Sequence, residues 1–106
     1  MSEVLGGFEH RVLLTMMRLG ASAYSVPIVV ELEALTKRTV SPSAVYVTLR
    51  RLEKRGLVQS AMVPAQDGEG GPDRRVFQVT DAGLELLRAS RRELDLLWDG
   101  IEALEP

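Results

Sequence analysis

The sequence predicts a mainly α-helical fold with one small β-hairpin and a long terminal helix. Three observations predict it. Ser41–Val63, SPSAVYVTLRRLEKRGLVQSAMV, reads as a capped amphipathic helix, a glycine stop and then a strand. The segment Pro64–Arg74, PAQDGEGGPDR, is rich in glycine and proline and separates two strand-like runs, which is the signature of a hairpin with a long tip. Leu87, Leu94 and Ile101 recur at heptad spacing, as do Leu97 and Leu104, so the last helix offers a short apolar seam to another helix.

The first helix is expected over Leu5–Leu19, where Phe8, Val12, Met16 and Leu19 follow helical spacing. Leu13, Leu14 and Met17 make it apolar on more than one face, so it must be covered on most sides. Gly20 ends it. Ser25 is the expected cap of a second helix, with Pro27 tolerated in the first turn. Ile28, Leu32 and Leu35 continue that helix, and Thr36–Val40 is a polar, basic connector. In the third helix Ser41 is the N-cap, Pro42 takes the first helical position, and Val45, Leu49 and Leu52 form the inner stripe. Ser43, Tyr46, Val47, Arg50 and Lys54 share the opposite face. Gly56 stands where a left-handed residue closes the helix. Strands are expected over Leu57–Val63 and Arg75–Val79, and Thr80 caps the last helix, with Gly100 a weak point after Trp98.

Helix, helix, helix, strand, wing, strand, long helix is the order of a winged helix-turn-helix. Residues 1–80 form that unit and residues 81–106 an appended helix for pairing. At 106 residues and 45% hydrophobic, the chain can build only a small core, which favours completing it with a second copy. There is no cysteine, which excludes disulfides and thiolate metal sites and fits a cytoplasmic setting. No run is long enough to span a membrane, and MSEVLGGFEH lacks the character of a signal peptide. One histidine without cysteine makes no typical transition-metal site, so no cofactor is expected and His10 is read as a surface residue. Nothing resembles a nucleophile–base pair or a phosphate loop. Carboxylates such as Glu31 and Glu33 fit a solvated helix face, so an enzyme is not expected.

The formal net charge of −2 conceals a segregation. Between Lys37 and Arg55, the bases Lys37, Arg38, Arg50, Arg51, Lys54 and Arg55 face one acid, Glu53, on an otherwise acidic body. Screening makes only nearby charges count, so such a patch can still hold a polyanion.

The run Ala44-Val45-Tyr46, Leu49, Arg51-Leu52-Glu53, Gly56-Leu57-Val58 resembles the PadR family of bacterial transcriptional regulators. So do Val12-Leu13-Leu14, Tyr24, the wing residues Gly70-Gly71 and Arg74-Arg75, and Val79-Thr80 with Ala82-Gly83. The resemblance spans about Leu5 to Leu104. It implies a homodimer paired through the last and first helices, binding palindromic double-stranded DNA as a repressor, and in some members responding to a small aromatic effector. It places the protein in the bacterial cytoplasm, on the nucleoid when bound. Three positions depart from the family pattern: Tyr24-Ser25 replaces Tyr-Gly, Pro72-Asp73 interrupts the basic wing near Asp67 and Glu69, and Val76-Phe77 replaces an aromatic pair.

Tyr46 and Arg50, one turn apart, are the expected major-groove contacts, with Arg50 able to read guanine O6 and N7. Val47 shares their face. Ser43 is expected at a phosphate or at its own helix terminus. Lys37, Arg38 and Lys54 are expected at phosphates or as solvated surface, and Arg74 and Arg75 at the minor groove or backbone beside the wing or in a cross-strand pair with a hairpin acid. Arg51 is expected to pair locally. Met16, Met17, Leu94, Leu97, Trp98 and Ile101 are the expected dimer surface and effector pocket, Trp98 being a packing anchor first and a ligand-stacking platform second. The competing reading is a winged-helix protein-interaction module with weak or no specific DNA binding, suggested by the acidic body and wing.

Overall fold

A computed structural model of the chain describes residues 4–64 and 73–101. The expectations for Asp67, Glu69, Gly70, Gly71 and Pro72 in the wing, and for Leu104 in the last helix, lie outside the described residues. The elements follow the predicted order: α1 (Gly7–Leu19), a short 3-10 turn (Gly20–Ser22), α2 (Ser25–Thr36), α3 (Pro42–Lys54), β1 (Val58–Val63), β2 (Arg74–Val79) and α4 (Asp81–Trp98). This is the expected mainly α-helical fold with a two-stranded antiparallel hairpin.

Local chemistry sets the helix ends. α1 begins two residues later than expected, because the Glu9 carboxylate reaches back to accept the Gly6 N–H at 2.8 Å. That is the acidic half of a capping box. In α2, Ser25 is the first helical residue rather than the cap, which falls to Tyr24 without a side-chain bond. Pro27 is then the third helical residue, where no intrahelical N–H is required. The helix closes on Lys37 in the left-handed region, φ 61°. Glu33, expected to be solvated, instead accepts the Val40 N–H at 2.8 Å and pins the connector between α2 and α3. Ser41 caps α3 as expected, its Oγ accepting the Ala44 N–H at 3.2 Å. The strand turns away at Gly56, φ 77°.

The core gathers one face of each element. Val12, Leu13 and Met16 of α1 meet Ile28 and Leu32 of α2, Val45, Leu49 and Leu52 of α3, Phe77 of β2 and Leu87 of α4. Each buried aliphatic side chain contributes about 1.5–3 kcal/mol of transfer free energy. Val45, Leu49 and Leu52 are fully buried, so the opposite face of α3 must lie outward. The hairpin pairs Val58 with Val79 and Ser60 with Phe77 on the side that meets the core, and Gln59 with Gln78 and Ala61 with Val76 on the other. The Phe77 N–H donates to the Ala23 carbonyl at 2.8 Å, tying the wing to the approach of α2.

A second joint fixes α4. The Thr80 hydroxyl donates to the Gly56 carbonyl at 2.7 Å and accepts the Gly83 N–H at 3.1 Å. The Thr80 N–H donates to the Leu57 carbonyl at 3.0 Å. A Cβ on Gly83 would stand 2.1 Å from that same carbonyl oxygen. Backbone cannot yield as a flexible side chain can. Gly83→Ala is therefore expected to destabilise the fold by about 3 kcal/mol, at the upper end of overpacking costs, measured as a lower midpoint in chemical denaturation.

Candidate nucleic-acid interface

α3 is amphipathic, and the burial of its inner stripe turns Tyr46, Val47, Arg50, Arg51 and Lys54 outward, where they line one shallow groove. Tyr46 and Val47 are about half exposed, at 45% and 52%. The Ser43 Oγ lies 3.0 Å from the Ser41 Oγ, so it supports the cap of its own helix while remaining exposed. Lys37 and Arg38, on the connector ahead of α3, are exposed and make no ion pair among the described residues.

The arginines of α3 and the hairpin have different surroundings. Arg51 is exposed and makes no ion pair among the described residues, which corrects the expectation of local pairing. It is Arg50 that pairs, its Nη1 lying 3.1 Å from the Glu53 Oε1. Three residues further along a helix returns to the same face, so Glu53 can reach Arg50. The other Glu53 oxygen accepts the Ser60 hydroxyl at 2.5 Å, and the Ser60 Oγ in turn accepts Arg75 Nη1 at 2.9 Å. Arg75 thus turns inward across the hairpin. Arg74, on the opposite face of β2, stands over the Tyr24 ring at 4.9 Å, within cation–π range.

Arg55 belongs to the basic run by sequence but to the scaffold by structure. Its guanidinium meets both Glu9 oxygens at 3.2 and 3.0 Å and donates to the Val4 carbonyl at 3.0 Å. It clamps the start of α1 to the end of α3. No local pattern reveals this pair, whose members are 46 residues apart.

A second surface runs along α1 and α4. Leu14 and Met17 of α1, and Leu94, Leu96, Leu97 and Trp98 of α4, are exposed, with Ile101 just beyond. Met16, expected there beside Met17, is in the core instead: consecutive residues stand about 100° apart around a helix, so only one of the two can face outward. A groove between the helices is lined by Leu14, Leu87, Leu94 and Trp98, with His10, Arg88 and Arg91 at its polar edge. His10, expected at the surface, is half-buried, and its Nδ1 lies 2.7 Å from the Ser90 Oγ of α4. Among the described residues no cluster of His, Asp and Glu could hold a metal, and no helix is long and apolar enough to cross a membrane.

Three helices, a β-hairpin that follows the third and a long terminal helix make up a winged-helix fold. The family model for the transcriptional regulator PadR-like family matches residues 13–89. The chain therefore belongs to the PadR-like family, whose members are transcriptional regulators and not enzymes. It is similar to a PadR family transcriptional regulator from Eggerthella lenta, with 30% identity and a TM-score of 0.63 over 90% of this chain and 83% of that one. A PadR-like transcriptional regulator from Bacillus cereus shares the fold at a TM-score of 0.73 and 22% identity, over 92% of this chain and 89% of that one. A Streptococcus transcriptional regulator is similar at a TM-score of 0.70 and 26% identity, over 93% and 92% of the two chains. No curated protein sequence matches the chain.

The His10 contact gives the scaffold a pH dependence. Burial, and then the neighbouring Arg11 charge, hold the imidazole pKa below 6.5. The unfolded chain thus binds more protons at this position than the folded one, so its stabilising share is full above pH 6.5 and is lost as the pH falls through the lowered folded value. The denaturation midpoint should fall between pH 7.5 and 5.5, and His10→Asn should flatten that part of the profile; equal slopes would remove His10 as the cause.

Proposed function

We propose that the protein is a dimeric, operator-specific DNA-binding repressor that responds to a small aromatic effector. The observation that carries the reading is the outward face of α3, where Tyr46 and Arg50 stand one turn apart beside exposed Arg51 and Lys54. An α-helix fits the major groove, and an arginine there can meet guanine O6 and N7 together. Tyr46 contacts a base edge or a phosphate, and Val47 packs against the groove. Ser43, Lys37, Arg38 and Lys54 hold the backbone, while Arg74 and Arg75 serve the wing, Arg75 from its hydrogen-bonded position.

Residues 1–80 are the reading unit and residues 81–106 the pairing helix. Leu94, Leu97, Trp98 and Ile101, with Met17 of α1, are the surface a second copy would cover. A two-fold dimer places its reading helices about 34 Å apart on a palindromic site, one turn of the duplex. A flat aromatic compound stacked on Trp98 between the subunits would act by favouring one separation of those helices, since a ligand shifts only an equilibrium it binds unequally. The protein would act in the cytoplasm, on the nucleoid.

The test is fluorescence anisotropy with the duplex upstream of its own gene against a scrambled duplex, at two salt concentrations. Preference for the first is expected, with Arg50→Ala weakening it about tenfold or more, the worth of one bidentate base contact. Lys54→Ala should weaken both duplexes alike and reduce the salt slope by about one. Leu97→Asp should yield a monomer by sedimentation. Equal weak binding to both duplexes, unaffected by Arg50→Ala, would favour a protein-interaction module instead.

A further inference from the structure

Arg50 does not project from α3 alone. It ends a chain of contacts that runs Arg50–Glu53–Ser60–Arg75, from the outer face of the third helix to the second strand of the wing. Glu53 is the centre of that chain. One of its oxygens takes Arg50 and the other takes Ser60, so the carboxylate is held from both sides. The Arg50 side chain is 47% exposed and that of Glu53 28%. A pair so open to solvent adds little to folding stability, so its consequence lies in where it points the arginine.

We propose that Glu53 is a positioning residue for sequence reading: it aims Arg50 at the bases and prevents it from settling on phosphates. This rests on the reading of α3 as the DNA-recognition helix. A guanidinium has five N–H donors in a rigid fork. Glu53 engages Nη1 on one side, which leaves the remaining donors to meet two acceptors on one base edge. Without Glu53, the long arginine side chain would sample many rotamers, and the phosphate backbone is its nearest source of negative charge. With Glu53, the local charge of Arg50 is balanced, so an arbitrary duplex gains little from it. Only a base edge with acceptors in the right place repays the contact. Ser60 and Arg75 extend the constraint, because the carboxylate keeps its orientation only while the hairpin holds Ser60 against it. The wing thereby helps determine what the recognition helix reads.

The experiment selects duplexes from a randomised pool with the wild-type protein, Arg50→Ala, Glu53→Gln and Ser60→Ala, and then measures affinity for the selected and for an arbitrary duplex. Arg50→Ala should lose the preference at one base pair of each half-site. Glu53→Gln should lose it at the same base pair, by about tenfold, and keep it elsewhere. It should also bind the arbitrary duplex more tightly, with a salt slope steeper by about one as Arg50 becomes available to a phosphate. Ser60→Ala should show the same local loss to a smaller degree, and provides the test if Glu53→Gln fails to fold. The proposal is overturned if Arg50→Ala loses its base pair while Glu53→Gln selects the wild-type sequence. It is also overturned if Glu53→Gln weakens binding at every position in step with a lower melting temperature, which is the result of a merely structural role. If the wild-type protein selects no sequence, the DNA reading of α3 falls first, and this assignment with it.

Discussion

The Leu57 carbonyl is the constraint on which the arrangement of the other parts depends. It follows the glycine that ends α3, it accepts the Thr80 N–H, and Gly83 passes so close that a side chain has no room. One backbone oxygen therefore joins the end of the third helix, the base of the hairpin and the first turn of the last helix. Thr80 closes the joint through its two bonds to Gly56 and Gly83. A joint made of backbone and a short hydroxyl side chain is stiff, unlike one made of long exposed side chains. The direction of α4 relative to the outer face of α3 is set there, near the start of α4 and far from its exposed end.

Charge follows the same economy of placement. The run from Lys37 to Arg55 is basic by sequence, but two of its arginines are engaged by carboxylates on the protein itself. Arg55 is held by Glu9, both partners being largely buried, and serves as a clamp between α1 and α3. Arg50 is held by Glu53 at the surface. What remains without an ion pair among the described residues is Lys37 and Arg38 ahead of the helix and Arg51 and Lys54 along it. A duplex would thus meet two groups of uncompensated cations around one arginine whose charge is already balanced. In the proposed reading, long-range attraction and base reading would fall to different residues, which suits the general division between contacts that position and contacts that specify.

Much of the fold was legible because its signals are local. Ser41-Pro42 and Gly56 bracket α3, Thr80 starts α4, and the period of Val45, Leu49 and Leu52 identifies the buried face; each acts within one turn of itself. The errors have equally physical causes. Ser25 looked like a cap because serine favours that position, but the helix starts at Ser25 and leaves Tyr24 as its cap. Met16 and Met17 are neighbours in sequence and are separated by the helical step. Glu33 and His10 looked like solvated groups because their partners cannot be read from adjacent residues: Val40 is seven positions away and Ser90 eighty. Glu53 is a special case. It was visible as part of the family-like motif, yet its two partners lie on either side of the turn at Gly56, so a motif could mark the residue but not the bond.

These contacts divide α4 into two halves with different relations to the rest of the chain. Its first half is anchored by Thr80, Gly83 and Leu87, and His10 adds a bond from α1 to Ser90. Beyond Ser90 every described residue is exposed, including the apolar Leu94, Leu96, Leu97 and Trp98. In the proposed dimer the second half would be covered by a partner, while the first half stays rigidly attached to the reading unit. A change in how two such helices cross would then reach the rest of the chain through the contacts of Thr80 and Gly83 with Gly56 and Leu57. The His10–Ser90 contact lies at the boundary between the halves and beside the groove that contains Trp98. In the proposed dimer, an occupant of that groove that displaced this bond would release the second half of α4 from α1 while the joint at Leu57 held the first half in place.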